Sequence, residues 1–318
     1  MICLTKKEVE MKHLPIRNLE FENILCRYDN FIRAKGYKQG KNRMLQSCVQ
    51  EFLFFLETLH LRSINEVKGP HILAYQAYIR ERPNQRLPGG LSESMIRHHI
   101  FSLRLLFDFL LALGEIDHSP VRNSKFQFGK HKERSICTVE EIKEIYNACT
   151  LQKERALIGI AYGCGLRRTE IQNLNITDIH FHRGFLVVRE GKNQKSRSIP
   201  MPNQTILDIK KYIYDERMGE VNPIRKDHIN ALFLNSCGRR MNGNKLNLMI
   251  QESIRKTENP NLKEKKLSLH CFRHSIATHL TDNGASLEFI QQLLGHSSID
   301  TAHIYAKRRK QQMKVMNQ

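Results

Sequence analysis

The sequence predicts a mainly helical protein with a small β-hairpin or sheet in its second half, an α+β architecture of two domains. Three observations support this prediction. Apolar residues recur every three or four positions over most of the chain, which is the period of an amphipathic helix. One stretch near the middle has the β-forming residues and the turn of a hairpin. The length of 318 residues suits two domains, each able to bury its own core.

The first half is predicted to be a bundle of three or four helices over residues 13–118. Residues 44–61 place apolar side chains on one stripe at helical spacing. A loop with two prolines and a glycine pair follows at 82–90. Ser92 then begins a long amphipathic helix, which Gly114 closes.

Residues 119–137 are predicted to form a basic linker. Pro120 cannot continue a helix, and the stretch is basic without any periodicity. Thr138 then begins a new helix with the pattern of a capping box. We therefore place the domain boundary between about 120 and 136, and a second domain at 138–312.

The second domain is predicted to combine helices with one pair of strands. Two segments rich in β-forming residues, 185–190 and 196–201, flank the turn formers Gly191 to Gln194, which predicts a β-hairpin. Leu232 to Leu234 is a candidate for another short strand. Helices are predicted at 203–217, 243–257, 268–282, 286–294 and 298–310.

The charge of the chain indicates a polyanionic partner. Lysine and arginine number 51 against 32 aspartates and glutamates, so the formal net charge is +19. A surface this basic attracts DNA, RNA or anionic membrane. No stretch approaches the roughly 20 apolar residues that span a bilayer, and the first residues lack the apolar core of a secretory signal.

The cysteines indicate reduced thiols. Eight are scattered along the chain, and no two have the C-x-x-C spacing typical of zinc ribbons and redox motifs. We therefore expect a cytoplasmic protein without a metal or a disulfide framework.

Basic side chains on the predicted helices of the first domain are candidates for contacts to phosphates. The clearest are Arg43, Arg97 and Arg104, on helix faces with few acidic residues nearby. Taken one by one, each fits a solvated helix face equally well.

Two signals in the second domain concentrate arginine and lysine at turns. In GCGLRRTEIQNL (163–174), a glycine-rich turn leads into a helix with Arg167 at its start and Glu170 one turn on. The planar fork of arginine can hold two phosphate oxygens at once. The predicted hairpin tip carries Lys192, Lys195 and Arg197, a grouping that favours contact with nucleic acid.

Two further signals lie near the end of the chain. In LSLHCFRHSIATHL (267–280), His270 and Arg273 share a helix face, while His270 and His274 also have the spacing of a metal pair. In QQLLGHSSIDTAHIY (291–305), His296 follows a helix end and Tyr305 comes nine residues later. A lone tyrosine is usually structural, so its interpretation depends on the other signals.

Taken in order, these residues resemble the tyrosine recombinase (phage integrase, Xer-type) family. The match consists of Arg167 in Gly-Leu-Arg, Lys192 in the hairpin, His270-x-x-Arg273, His296 in Leu-Leu-Gly-His, and Tyr305. Six positions in the family's order span nearly 140 residues. The resemblance implies that 138–312 is the catalytic domain and that 13–118 is a helical (SAM-like) core-binding domain that binds DNA.

The resemblance also implies a reaction. Tyr305 attacks the scissile phosphate and forms a 3′-phosphotyrosine, while Arg167 and Arg273 neutralise the non-bridging oxygens. His270 accepts the tyrosine proton, Lys192 protonates the departing 5′ oxygen, and His296 hydrogen-bonds the phosphate or positions the nucleophile. No cofactor is implied, neither ATP nor a metal ion. The expected partners are double-stranded DNA at specific sites, a homotetramer assembled on that DNA, and accessory DNA-bending or partner recombinase proteins.

Three alternatives stay open from the sequence. A type IB topoisomerase shares this chemistry, a catalytically silent regulator shares the fold, and a metallohydrolase would use His270 and His274. Arg168, beside Arg167, stands where relatives often carry an aliphatic residue, and it could compete for the phosphate or point outward.

Overall fold

The computed structural model describes residues 14–37, 44–84, 88–129, 135–189 and 196–295. The chain divides into two compact units, Met1–Lys132 and Glu133–Gln318. The predicted fold class is confirmed, since helices dominate and one small antiparallel sheet lies in the second unit. The predicted helix at 298–310 lies outside the described residues.

Four α-helices build the described part of the first unit. They are α1 (Leu19–Ala34), α2 (Met44–Thr58), α3 (Gly69–Glu81) and α4 (Glu93–Ala112). Asn18 caps α1 by accepting from the amides of Glu20 and Phe21, and Ser92 caps α4 by accepting from Met95. Their apolar stripes meet in one core that fully buries large side chains, among them Phe52.

The core of this unit also encloses a cluster of polar side chains. The Glu51 carboxylate accepts a hydrogen bond of 2.9 Å from the Arg82 guanidinium, and its Oε2 lies 3.9 Å from Nε2 of His99. His99 in turn shares a 2.9 Å hydrogen bond with the Tyr75 hydroxyl, which donates to the Cys48 carbonyl. The group ties α2, α3 and α4 together.

The first part of the predicted linker packs on this bundle. Phe126 and Phe128 lie partly buried against its core. Arg97 stacks over the Phe128 ring at 4.2 Å and Arg104 over the Phe126 ring at 5.7 Å. Residues 119–129 are thus part of the first unit's packing, although their basic composition and lack of periodicity predict a linker.

The second unit holds nine α-helices and three strands among the residues that the structure describes. The helices are α5 (Val139–Ala148), α6 (Gln152–Ile158), α7 (Arg168–Asn173), α8 (Asn203–Lys211), α9 (Met218–Glu220), α10 (Gly243–Arg255), α11 (Pro260–Glu264), α12 (Leu269–Asp282) and α13 (Leu287–Leu294). The strands β1 (Ile179–His180), β2 (Phe185–Val188) and β3 (Arg197–Pro200) form a sheet in the order β1-β2-β3. Both pairings are antiparallel, and Val188 with Arg197 is the last pair of the β2–β3 register.

Local geometry departs from the predicted elements at four places. The predicted helix at 203–217 contains a π-helical segment at Tyr212–Arg217, and a second π-helical segment, Gly159–Gly163, follows α6. The strand β1, only two residues long, was too short to predict. Leu232 to Leu234 forms no strand; isolated bridges lie at the preceding residue, from Ala231 to Asn175, and at its last residue, from Leu234 to Arg240.

The second π-helical segment leads directly towards the predicted catalytic residues. Gly159 and Gly163 face Thr205 on α8, where an added Cβ would lie 2.9 to 3.0 Å from the threonine hydroxyl. Only glycine permits this close approach without a shift of the neighbour. The packing fixes where the chain enters the turn before Arg167.

Within the described ranges, the helices are all too short or too polar to cross a bilayer.

Candidate active site

Arg167 stands at the mouth of α7, in the turn that the sequence singles out. The turn reverses at Gly165, whose φ of +62° lies in the left-handed region that favours glycine. The Arg167 guanidinium donates to Oε1 of Glu170 at 2.8 Å and to the Gly295 carbonyl at 2.7 Å. About a third of its side chain (32%) is exposed, so the guanidinium remains accessible to a ligand.

Arg273 approaches the same place from the other side of the site. It lies on α12, one turn after His270, and its side chain is only 4% exposed. The guanidinium donates to the Gly165 carbonyl at 2.6 Å and to the Leu294 carbonyl at 2.5 Å. Arg167 and Arg273, more than 100 positions apart in the sequence, therefore lie close together in the folded chain.

Glu170 lies at the centre of this arrangement. Its side chain is 10% exposed, and its Oε2 accepts from the Arg167 amide at 2.7 Å and from Arg197 at 2.9 Å. Nη1 of Arg273 lies 3.7 Å from the same oxygen. Burial acts to raise the pKa of Glu170, but the hydrogen bonds from Arg197 and Arg167 outweigh it, and the pKa is lowered.

Glu170 is the residue that sequence reasoning located without giving it a role. The signal was its position three residues after Arg167 at a helix start, which lets a glutamate reach back to the preceding backbone amide. The four side chains of Glu170, Arg167, Arg197 and Arg273 together carry a net positive charge. Such a surplus in a partly buried site suits a bound anion.

The end of α13 is bound by the same arginines. The carbonyls of three consecutive residues accept from three different guanidiniums: Leu293 from Arg197, Leu294 from Arg273 and Gly295 from Arg167. The last carbonyls of a helix have no partner within it and carry the negative end of its dipole, so cations stabilise them. The arginines therefore hold the turn from which the chain continues to His296.

Arg197 lies inside the protein, although it is predicted at the hairpin tip as a DNA contact. Its side chain is 12% exposed. The strand alternation already held the signal, since Arg197 shares a face of β3 with the buried Ile199, while Ser198 between them is exposed.

His270 is exposed on the first turn of α12. Its ring centroid lies 5.1 Å from that of His274, and the two rings are nearly perpendicular. Across the five described ranges, no three histidine, cysteine, aspartate or glutamate side chains come together as a group that could hold a metal ion.

Arg168 points away from the arginine pocket. Its guanidinium donates to Oδ1 of Asn244 at 3.1 Å, and its side chain packs against Gly243 at the start of α10. Of the two possibilities that the sequence leaves open, these contacts favour an Arg168 side chain directed away from Arg167. Five of the predicted site residues lie outside the described residues: Arg43, Lys192, Lys195, His296 and Tyr305.

A sequence model of the phage integrase family matches residues 136–312 of this chain. The tyrosine recombinase XerD of Listeria monocytogenes serovar 1/2a is 31% identical over 281 residues, which cover 86% of this chain and 90% of that protein. The tyrosine recombinase XerA of Pyrococcus furiosus is 38% identical over 172 residues, or 54% of this chain and 56% of that protein.

Solved structures share the fold. An integrase of the Tn1549 transposon, in complex with a circular intermediate DNA, superimposes with a TM-score of 0.71 at 21% identity over 89% of this chain and 94% of that chain. The XerH site-specific recombinase bound to its difH substrate gives a TM-score of 0.63 at 19% identity over 93% and 97% of the two chains. These relatives carry the names of recombinases and integrases, and none of them is named a topoisomerase.

Proposed function

This chain belongs to the tyrosine recombinase family of site-specific DNA strand-exchange enzymes, and on that premise we propose that it cleaves and rejoins DNA through Tyr305. The residue assignment rests on one observation: Arg167 and Arg273 both lie next to Glu170, and both donate to the turn that leads to His296. Both arginines come from the family pattern, and they lie more than 100 residues apart in the sequence.

The proposed reaction begins with attack of the Tyr305 hydroxyl oxygen on the scissile phosphorus. The proton goes to His270, the bond to the 5′ oxygen breaks, and Lys192 protonates that oxygen. The products are a 3′-phosphotyrosine and a free 5′-hydroxyl. The phosphotyrosyl bond retains the energy of the broken linkage, so the attack of another 5′-hydroxyl restores the DNA without ATP.

The arginines supply positive charge where negative charge grows in the transition state. Arg167, the more exposed of the two, would move its donors from the Gly295 carbonyl to a non-bridging phosphate oxygen. Arg273 is nearly buried. Its guanidinium donates to two backbone carbonyls and would present its positive charge to the phosphate from that fixed position. His296, directly after Gly295, would reach the phosphate from the same turn.

The partners and location follow as further parts of the proposal. The substrate is double-stranded DNA at specific sites, bound by four copies of the chain, with accessory DNA-bending or partner recombinase proteins as additional components. Lys195, Arg43, Arg97 and Arg104 would contact the DNA backbone, and the first unit would be the core-binding domain. We place the protein in the cytoplasm, where its DNA lies.

Replacing Tyr305 with phenylalanine tests the nucleophile. A nicked suicide substrate should trap the wild-type protein as an adduct that resists denaturant, with peptide mapping to Tyr305. Tyr305→Phe should bind the same DNA with nearly unchanged affinity and form no adduct, because only the hydroxyl is lost. An adduct with the Phe variant would show that the nucleophile is another residue.

A sulfur-substituted DNA strand tests the proposed general acid. With sulfur in place of the bridging 5′ oxygen, the leaving group is a thiolate, whose conjugate acid has a pKa of about 8.5 in cysteine, so it departs without protonation. Lys192→Ala should slow cleavage of normal DNA by about 10²–10⁴-fold and recover on the sulfur strand.

Two matched variants complete that experiment. Arg273→Ala should stay slow on both strands, because the non-bridging oxygens are unchanged. Lys195→Ala should weaken DNA binding and its salt dependence rather than the chemistry. If Lys195→Ala recovers on the sulfur strand and Lys192→Ala does not, the acid is Lys195.

A further inference from the structure

Arg197 occupies a position between three segments of the candidate active site. It is the first residue of β3, directly after the segment that carries Lys192. Its side chain turns inward, towards α7 and the end of α13, and is 12% exposed. A residue placed in this way cannot serve DNA as a freely extended surface cation.

The guanidinium of Arg197 reaches two different segments. Its Nη2 donates to Oε2 of Glu170 at 2.9 Å, and its Nε donates to the Leu293 carbonyl at 3.4 Å. The group also packs against Gly295, where an added Cβ would lie 2.7 Å from Cζ of Arg197. Gly295 has a φ of +60°, a backbone conformation that favours glycine, and any side chain at this position would displace the Arg197 guanidinium.

Glu170 transmits the position of Arg197 to the two phosphate-binding arginines. Arg167 contacts both carboxylate oxygens of Glu170, one through its side chain and one through its amide. Arg273 lies 3.7 Å from the oxygen that Arg197 also contacts. A carboxylate that lost Arg197 would keep its contacts to Arg167 and Arg273 but would no longer be anchored to β3, so the positions of all three side chains would be less strictly defined.

Arg197 also contributes most to keeping Glu170 ionised. Burial raises the pKa of Glu170. Among the interactions that lower this pKa, the hydrogen bond from Arg197 has a larger effect than those from Arg167. Without Arg197 the carboxylate would be buried with less compensation, and its pairing with Arg167 would weaken. The geometric and electrostatic roles of Arg197 therefore coincide.

We propose that Arg197 is a positioning residue of the cleavage reaction: through Glu170 it aligns Arg167 and Arg273, and through Leu293 and Gly295 it fixes the turn that precedes His296. This proposal rests on the proposed function. It makes Arg197 act on the rate of cleavage in the bound complex rather than on the affinity for DNA.

The test compares Arg197→Met and Arg197→Lys with a matched control, Arg183→Met. Arg183 is an exposed arginine in the turn between β1 and β2 of the same sheet. Each protein is measured for single-turnover cleavage of a nicked suicide substrate, for affinity to that site, and for the salt dependence of the affinity. Melting curves establish that each variant is folded, and if Arg197→Met is not, Arg197→Lys and Glu170→Gln decide the test.

We expect Arg197→Met to cleave more slowly by about 10–100-fold, the scale observed when outer partners of a reactive centre are removed. Arg197→Lys should regain part of that rate, because an ammonium can pair with Glu170 but cannot also reach Leu293. The affinity for DNA should match that of the wild type, and so should the salt slope, which is the slope of log affinity against log salt concentration. Arg183→Met should cleave at the wild-type rate.

A double variant tests the route through Glu170. Arg197→Met combined with Glu170→Gln should be no slower than the slower single variant, because either change already breaks the same chain of contacts. If the double variant is slowed by the product of the two single effects, Arg197 acts independently of Glu170 and the proposal is overturned.

The remaining outcomes separate this proposal from the proposed function. A salt slope that falls by about 0.9, with unchanged cleavage in the bound complex, would make Arg197 a DNA phosphate contact and overturn the positioning role. Wild-type cleavage by Arg197→Met would overturn it as well, with the proposed function intact. If the wild-type protein forms no adduct, the proposed function itself fails.

Discussion

Each of the two units buries a glutamate among basic side chains, but the two groups differ in charge balance. In the first unit, Glu51 pairs with Arg82 beside His99, and the Glu51 side chain is 6% exposed. In the second, Glu170 is 10% exposed and is shared by the guanidiniums of Arg167, Arg197 and Arg273. Burial is similar, so burial alone does not distinguish the two groups.

The pKa values of the two carboxyls respond in opposite directions. Burial raises the pKa of Glu51, and the attraction of Arg82 does not offset it. Burial also acts to raise the pKa of Glu170, but its hydrogen bonds with Arg197 and Arg167 prevail and lower it. The charge of Glu51 is balanced by one guanidinium, and this pair serves to tie helices together. The charge of Glu170 is smaller than that of the three guanidiniums around it, so positive charge remains for an anionic ligand.

The largest expected effect concerns the balanced pair. Glu51→Ala should lower the free energy of unfolding by about 3–5 kcal/mol, because it leaves the Arg82 guanidinium, 11% exposed, without its counter-charge. Urea unfolding of the full chain measures the change. As a control, Glu51→Leu combined with Arg82→Met should recover most of the loss, since no charge is then left buried. A loss below about 1 kcal/mol in Glu51→Ala would show that the pair is not structural.

The next effect concerns the unbalanced group. Arg273→Ala should slow DNA cleavage by about 10²–10³-fold, the usual consequence of removing one donor to a developing negative charge. Single-turnover cleavage of a suicide substrate measures the change. Arg82→Lys is the matched control, because it also alters a buried arginine. The folded fraction of this variant should cleave DNA at the wild-type rate. Equal slowing of the two variants would remove the functional difference between the groups.

A smaller effect concerns pH and the first unit alone. Burial lowers the pKa of His99 from 6.5 to about 4, so the unfolded chain takes up this proton first as the pH falls. The stability that His99 contributes is therefore present above pH 6.5 and is lost towards pH 4, by up to about 3 kcal/mol.

The measurement is urea unfolding at intervals of pH between 6.5 and 4 for the wild type and for His99→Gln. The variant should show a shallower loss, because glutamine does not titrate. Glu51, whose raised pKa has the opposite effect, is present in both proteins. Identical slopes in the two proteins would indicate that His99 is not held neutral.

The smallest effect concerns the exposed arginines of the first unit. Arg97→Ala should cost about 0.5–1 kcal/mol of stability, because it removes the stacking on Phe128. If Arg97 also contacts a phosphate, the slope of log affinity against log salt should fall by about 0.9. Phe128→Leu is the matched control, which removes the ring and keeps the charge, so stability should fall while the salt slope stays unchanged. A slope that also changes in Phe128→Leu would mean that the segment at 126–129, and not Arg97, sets the contact.

The sequence predicted much of the local structure because the signals for it are local. Ser92 and Thr138 cap helices where the pattern places helix starts, and the hairpin strands fall within the predicted segments. The packing of residues 119–129 on the first unit could not be predicted, because it depends on contacts from Phe126 and Phe128 to α4. Whether these residues work as a linker, and whether the first unit binds DNA, stay predictions.

For the candidate site, the order and spacing of the motif residues determined the family and named Arg167, His270 and Arg273. The spacing could not show that Glu170 joins three arginines, nor that three consecutive carbonyls at the end of α13 accept from three guanidiniums. These are contacts between segments up to 128 residues apart.

The sequence by itself therefore determined the helical fold class, the basic character of the protein and the residue types of its chemistry, because periodicity, charge and motif order can be read along the chain. The tertiary structure decided which partners the described arginines contact. Arg97 lies exposed on an aromatic ring, Arg168 turns towards α10, and Arg197 turns inward to Glu170. The physical reason is that the function of a guanidinium depends on its burial and on which acceptor it meets, and both are set by segments that come together only in the folded chain.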